Sequence, residues 1–326
     1  MASRTGSRFG RRIVLLAVAV VLFCAAYTAG WYYFARGLET RAAATLASLN
    51  GGGVRAFCEE PEARGFPFRI GLYCKGVFYE NVSDGVSIRA GRMQSAANVY
   101  QPYRVLGQLD GPAKIILPFT IPLEARWESL LASTRLSRPL PETLSVEGKK
   151  VEISAEEGDP APLLTVDDVQ FHARQREADL EIAVSFRDLV AGAEIAPGLP
   201  PIEGRVLGLV QDGVSLLKEK VHDLRGRSAT IEEMVVGVTG ERAGFSLSGP
   251  ISVSDDGRID ADLSITINDP RAVAEVMAQI FPDEGDQIRA ATGMLASLEN
   301  QPLPVRITRG KVFLGFIPLG EIPAIE

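Results

Sequence analysis

Histidine is scarce in this sequence, whose 326 residues contain only His172 and His222. A serine or cysteine nucleophile that needs histidine as its base therefore has few possible partners. The sequence also lacks a G-x-S-x-G elbow, a phosphate-binding G-x-x-x-x-G-K, an H-E-x-x-H and a G-x-G-x-x-G. We therefore predict a protein that is not an enzyme, with no cofactor, no metal and no catalytic residue. A carboxylate-based hydrolase is the enzymatic alternative, because carboxylates are plentiful.

Charge is absent from residues 13–35, which directly follow the basic tail "MASRTGSRFGRR". At a rise of about 1.5 Å per residue this run can cross a hydrocarbon core of about 30 Å. Basic residues are retained on the cytoplasmic side. We therefore predict a cytoplasmic tail over residues 1–12, a single-pass signal anchor in the inner membrane over 13–35, and a periplasmic body. A cleaved signal peptide is the alternative, although the nearest cleavage site, "AAYTAG", is poor.

Cysteine is also rare, and only Cys58 and Cys74 lie outside the apolar run, which contains Cys24. Exported cysteine pairs meet an oxidising compartment, where they tend to form structural disulfides. We therefore predict a Cys58–Cys74 disulfide. The alternatives are two free thiols or a metal pair, and the metal pair would need further ligands that no nearby histidine supplies.

The exported part of the chain is acidic. Removing the four arginines of the tail from the net charge of −7 leaves −11 for residues 13–326. A body of this charge is repelled by nucleic acid and by anionic lipid headgroups, so we expect neither as an electrostatic partner. The membrane is a predicted partner through the apolar residues 13–35 alone.

Residues 36–50 are rich in helix formers, and we expect them to continue the anchor as a helical stalk that ends at "NGGG". A flexible stalk is the alternative. From residue 51 the hydrophobic period changes to two, most clearly in "GFSLSGPISVSDDGRIDADLSITIN" around the Asp-Gly corner at Gly257. This pattern predicts a long β-hairpin with one apolar face.

Helices interrupt this pattern near residues 213–224, 270–281 and 284–299, while "EARWESLLAS" near Trp127 fits either period. The predicted fold class is α+β and β-rich: one N-terminal transmembrane helix, then a long curved antiparallel sheet with a few packed helices over residues 51–326. A weak self-similarity at an offset of 65 residues is compatible with two similar halves that meet near 190–205.

Two groups of residues are candidates for binding. The apolar positions of the predicted hairpin would line a groove in the sheet: Phe245, Leu247, Ile251, Leu263, Ile265 and Ile267. Aromatic and basic residues of the segments "FPFR" and "VYQPYR" would form a binding lip: Arg69, Tyr100, Tyr103 and Arg104. Isolated aromatics are more often part of a core, which is the alternative for the lip.

Several motifs together resemble an uncharacterised domain-of-unknown-function family of bacterial signal-anchored envelope proteins. They are "GFPFRIGLYC", "ANVYQPYRV" with "LDGPAKI", "LSGPISVSDDGRIDADLSI" and "VFLGFIPLGEIP", and the resemblance covers nearly the whole chain. A more distant likeness is to AsmA-like and TamB-like envelope proteins, whose repeated strands build curved sheets with an apolar groove for lipid. The resemblance implies a location and a fold, and it implies no activity.

These observations favour a membrane-anchored envelope protein that holds lipid or another apolar ligand in a groove of its sheet. The alternative is a protein-interaction or scaffold module that closes its own core and binds another envelope protein. The exposure of the hairpin's apolar side chains distinguishes the two, because a groove leaves them partly exposed and a closed core buries them.

Overall fold

A computed structural model describes residues 6–138, 140–157, 161–219, 224–281, 285–286, 288–289 and 300–325. His222 and most of the helix predicted over 284–299 lie outside the described residues.

The chain begins with one long helix, α1, which runs unbroken over Gly6–Leu49. It contains no proline, and it ends where Gly51, Gly52 and Gly53 adopt positive φ angles that favour glycine. The helix is long and apolar enough to span a membrane, with a mean hydropathy of 2.5 in its most apolar part. The predicted apolar segment and the residues of the stalk are therefore one continuous element.

Within the described residues, twenty strands follow α1, and they form one antiparallel sheet. The first ten are short: β1 Val54–Cys58, β2 Glu62–Arg64, β3 Arg69–Cys74, β4 Val77–Asn81, β5 Val86–Ala90, β6 Met93–Asn98, β7 Gln101–Leu109, β8 Ala113–Ile116, β9 Leu123–Arg126 and β10 Ser129–Arg135. The others are mostly longer: β11 Thr143–Ala155, β12 Leu164–Arg176, β13 Asp179–Ala191, β14 Ile202–Val210, β15 Ser228–Val238, β16 Gly244–Val253, β17 Ile259–Asn268, β18 Leu303–Thr308, β19 Lys311–Leu314 and β20 Ile317–Glu321. The β-rich architecture predicted from the sequence is confirmed.

The ten short strands are the halves of five long strands, each of which bends in the middle. One set of halves pairs in the order β1–β4–β5–β8–β9 and then β11, and the other set in the order β2–β3–β6–β7–β10 and then β11. Neighbouring bends also bond to each other, as in Lys75 N to Glu59 O at 2.8 Å and Asp110 N to Arg92 O at 2.8 Å. We call this line of bends, at residues 59–61, 75–76, 91–92, 110–112, 127–128 and 149–150, the crease.

From β11 to β20 every strand pairs with the next one along the chain. The whole sheet is therefore an up-and-down meander in which strand order follows sequence order. Register shifts interrupt the pairing of β13 with β14, of β14 with β15 and of β15 with β16. Such bulges bend strands, so the distortion that begins at the crease continues into the second part of the sheet.

Helices α2, over Gly213–Glu219, and α3, over Pro270–Ile280, lie in connections between strands. The Asp269 carboxylate caps α3 by accepting a hydrogen bond from the backbone N–H of Ala272 at 3.1 Å. The helices predicted near 213–224 and 270–281 are confirmed within the described residues. The ambiguous segment around Trp127 forms β9 and β10.

Helix α1 lies along the first edge of the sheet and packs against β1, β2 and β3. The Glu39 carboxylate accepts a hydrogen bond from Ala63 N in β2 at 2.8 Å, and Asn50 Oδ1 accepts one from Ala56 N in β1 at 2.5 Å. These side chains occupy backbone donors that an edge strand would otherwise offer to another chain.

Candidate functional site: an open apolar sheet face

Cys58 and Cys74 form a disulfide at the crease, with their Cα atoms 5.4 Å apart. Cys58 ends β1 and Cys74 ends β3, so the bond joins the first two long strands where each of them bends. Cys74 is completely buried, with a relative exposure of 0%. The disulfide predicted from the sequence is confirmed.

One face of the sheet carries a row of apolar side chains that crosses eight strands. Each member is the register partner of the next, so all of them project from the same face. We call this set the apolar row: Val146, Phe171, Val184, Val206, Met234, Leu247, Ile265 and Leu303. At about 4.8 Å between strands the row extends over about 34 Å.

The apolar row is not covered by a second layer of the described structure. All eight members are half-buried, and so are the alternating residues that project from the opposite face nearby, such as Ser246, Ser248 and Thr266. A sheet packed on one face would instead show buried and exposed residues in alternation. Among the described residues, Cys74 is the only large side chain that is fully buried.

The accessible surface supports the same conclusion. The chain exposes 21450 Å², whereas a compact protein of 35.1 kDa exposes about 13,000 Å². Even with a protruding helix, this excess indicates a sheet that is largely a single layer. Within the described residues, the apolar row is therefore only partly covered.

The six residues predicted to line a groove lie on this face. Phe245 pairs with Ile267, Leu247 with Ile265, and Ile251 with Ala261, while Leu263 pairs with Val305 of β18. All six are half-buried. Whether they hold a ligand stays a prediction.

Two cavities, of about 560 Å³ and 490 Å³, lie mainly against the opposite, polar face. The first is lined by residues that include Asp260, Asp262 and Arg306, with Ile251 as the only groove candidate among them. The second includes Asp168 and Arg205. The second is mostly polar, whereas the first also contains Ala229, Ala261 and Ile307 and is of mixed lining.

The predicted lip residues lie at one end of the sheet, where α1 also passes. Val99 N donates a hydrogen bond to Phe68 O at 3.1 Å, and Leu136 N donates one to Tyr103 O at 2.8 Å, so consecutive turns adjoin here. We call the turns at residues 65–68, 99–100, 136–138 and 140–142 the anchor-side rim. Arg69, Tyr100, Tyr103 and Arg104 all lie on it or next to it and are exposed.

Sequence reasoning missed four other exposed apolar residues of this rim, Phe66, Phe68, Val99 and Leu136. Phe66 and Phe68 stand in the segment "FPFR", which drew attention only to Arg69. Their exposure could have been predicted from Pro67, because proline favours a surface turn and the phenylalanines on both sides of it are then exposed.

No catalytic cluster emerges among the residues that the structure describes. His172 is exposed on the polar face with Nδ1 2.8 Å from Ser145 Oγ, and no group of three or more metal-ligating side chains converges within the described ranges. The carboxyl pKa of Glu128 is lowered by a hydrogen bond from Lys150, and that of Asp256 chiefly by one from Ser254. Both carboxylates lie at the surface, so these shifts reflect ordinary surface contacts.

Comparisons with known proteins identify the family and nothing more specific. No curated protein and no solved structure gives a significant match, so the distant likeness to AsmA-like and TamB-like proteins has no support from them. A family model described as "Uncharacterized protein conserved in bacteria (DUF2125)" matches residues 31–323, which include every strand of the sheet. The chain therefore belongs to this uncharacterised bacterial family, DUF2125.

Proposed function

We propose that this protein is a membrane-anchored envelope protein that binds lipid, or another elongated apolar ligand, on the open apolar face of its sheet. The proposal includes a periplasmic body and no enzymatic activity. The observation that carries it is the incomplete burial of the apolar row, whose side chains no second layer of the described structure covers.

The physical requirement for such binding is modest. Removing apolar surface from water contributes up to about 0.8 kcal/mol per methylene, so an acyl chain needs only a continuous apolar track. The apolar row offers a track of about 34 Å at the strand spacing, which is longer than an extended acyl chain of ordinary length. An uncovered face of this size is unusual for a monomer and indicates a site of interaction.

The sheet edges favour binding on the face over binding by strand addition. Glu39 and Asn50 of the α1 segment occupy backbone donors of β2 and β1. At the other edge, β20 contains Pro318, and proline on an edge strand hinders pairing with another chain. A protein partner that covers the apolar face remains the alternative function.

Native mass spectrometry of the full-length protein, extracted from its own membranes, tests the proposal. We expect a reproducible mass increment from co-purifying lipid. The informative variant is Leu247→Glu, which places a charge in the middle of the apolar row. The matched control is Ser248→Glu, which places the same charge on the opposite face next to Ser264.

If the face is open and binds lipid, Leu247→Glu folds, because water can reach the new carboxylate, and it loses the lipid, whereas Ser248→Glu retains it. Two results would contradict the proposal. One is a clean mass without lipid and with a co-purifying protein. The other is a Leu247→Glu variant that unfolds while Ser248→Glu does not, since this would mean that protein covers the face.

A further inference from the structure

We propose that the anchor-side rim docks into the leaflet from which α1 emerges, so that this end of the sheet is immersed in the lipid interface. The inference shares the membrane anchor with the proposed function and goes beyond it, because it assigns a second membrane-binding surface to the body. Its occupant is the phospholipid headgroup layer.

The first argument is the position of the rim along α1. Tyr27 Oη donates a hydrogen bond to Pro67 O at 2.6 Å, and Trp31 Nε1 donates one to Arg69 O at 2.9 Å. The Trp31 and Phe66 rings meet edge to face, with centroids 5.4 Å apart. These contacts fix the turn at residues 65–68 beside the last turns of the apolar run.

The depth of this turn follows from the rise of the helix. Counted from Ile13, the first residue after the basic tail, Tyr27 lies about 21 Å and Trp31 about 27 Å along the axis. A hydrocarbon core is about 30 Å thick. The turn that contains Pro67 is therefore level with the outermost part of the core or the headgroups above it, and it cannot stand clear of the bilayer.

The second argument is the chemistry of the rim. Phe68, Tyr100 and Tyr103 are 58%, 76% and 69% exposed, and aromatic rings of this kind favour the membrane–water interface. Arg69 and Arg104 stand beside them, and neither forms an ion pair with a carboxylate of the described residues. Guanidinium groups form bidentate hydrogen bonds with phosphate, so lipid phosphates are suitable partners for these two arginines.

The docking would also give the apolar face access to the bilayer. Tyr103 lies two residues before Val105 in β7, so both side chains project from the same face of the sheet. Val105 pairs with Thr134 and Ala97 on the face that carries the apolar row. Tyr103 therefore projects from the apolar face where that face reaches the rim. An apolar molecule that leaves the leaflet there would move onto the sheet without crossing water.

Site-directed fluorescence in vesicles tests the inference with the full-length chain. In a Cys24→Ala background, which removes the one free thiol of the described residues, an environment-sensitive label is attached to Tyr100→Cys or to Phe119→Cys. Phe119 is fully exposed (107%) in the turn after β8, at the opposite end of the long strands. Each protein is reconstituted into phosphatidylethanolamine–phosphatidylglycerol vesicles that contain lipids spin-labelled near the ester end of the acyl chain.

We expect the label at residue 100 to be blue-shifted and to lose most of its emission to the spin-labelled lipid, while the label at residue 119 keeps its emission. Adding Phe68→Ser and Tyr103→Ser should restore part of the emission at residue 100. Equal emission at the two positions would overturn the inference. A blue shift at residue 100 without lipid quenching would overturn it as well, because protein would then cover the rim. The Leu247→Glu variant separates the two proposals, since it should lose bound lipid and keep the quenching at residue 100.

Discussion

Trp127 Nε1 donates a hydrogen bond to the carbonyl oxygen of Leu109 at 2.8 Å, across the crease. The indole ring also packs over Gly111, where an added Cβ would lie 3.3 Å from it. Trp127 stands between β9 and β10, and Gly111 stands between β7 and β8. The Trp127 side chain therefore joins two neighbouring long strands at their bends.

We predict that Trp127→Phe destabilises the crease. The ring is largely kept, but the carbonyl of Leu109 loses its partner, which should cost about 1 kcal/mol of unfolding free energy. Hydrogen exchange at the backbone amides of Glu128 and Asp110, which bond across the crease, measures the effect locally. Unchanged protection at both amides would show that the indole does not hold the bend.

The disulfide gives the second prediction. Replacing Cys58 and Cys74 together by alanine should reduce the unfolding free energy by about 3 kcal/mol, because the unfolded chain loses a closed loop of 16 residues. Denaturant titration of the protein in detergent measures this loss. A reductant should destabilise the parent protein and leave the double variant unchanged, whereas Cys24→Ala should have no effect. Two alkylatable thiols at positions 58 and 74 in protein taken from the envelope would contradict the bond itself.

Much of the fold was readable from the sequence because it depends on local pattern. The hairpin of β16 and β17 follows from the alternation around Gly257, and α3 follows from Pro270, which suits the first position of a helix. The disulfide followed from counting cysteines outside the apolar run.

The crease was not readable because it depends on register between distant strands. Around Trp127 the alternation changes phase as β9 ends and β10 begins, so the segment fitted helical and strand periods equally well. Inside β11, the apolar residues fall at even-numbered positions before Lys150 and at odd-numbered positions after it. This change of phase coincides with the positive φ of 46° at Lys150. Alternation of apolar and polar residues also does not show what packs on a sheet. It predicted that Leu247 and Ile265 share an apolar face, but whether a second layer covers that face depends on the topology of the whole meander.

The third prediction concerns Gly71, where β3 and β6 approach each other closely. A Cβ on Gly71 would overlap the carbonyl oxygen of Ser95. Beside it, the Ser95 hydroxyl takes the place of the backbone hydrogen bonds between the strands, because it accepts a bond from Leu72 N and donates one to Leu72 O. We expect Gly71→Ala to destabilise the protein by at least about 1–3 kcal/mol, since backbone atoms must move.

Gly107→Ala is the matched control for this substitution. Its added Cβ would lie 3.8 Å from the Ala132 side chain, which is an ordinary contact. Thermal unfolding of the two variants should therefore differ clearly. If both melt at the temperature of the parent protein, β3 and β6 do not pair as described.

The last prediction concerns pH and the Glu128–Lys150 ion pair at the crease, where the nitrogen and oxygen are 2.8 Å apart. The hydrogen bond from Lys150 and its positive charge lower the carboxyl pKa of Glu128 below the ordinary value of 4.5. A carboxyl with a lowered folded pKa contributes stability above its unfolded pKa and loses that contribution as pH falls through the folded value. The pair should thus stabilise the folded protein at neutral pH and lose this contribution as pH falls through the lowered pKa of Glu128, with a small effect because both groups are exposed.

Carboxyl ¹³C titration by NMR measures this shift directly. Lys150→Asn removes the charge while suiting the positive φ at this position, and it should move the midpoint of Glu128 up towards 4.5. Lys149→Asn is the control and should move it much less, because Lys149 contributes only a minor charge effect. The same Glu128 midpoint in the parent protein and in Lys150→Asn would mean that the two side chains do not pair in solution.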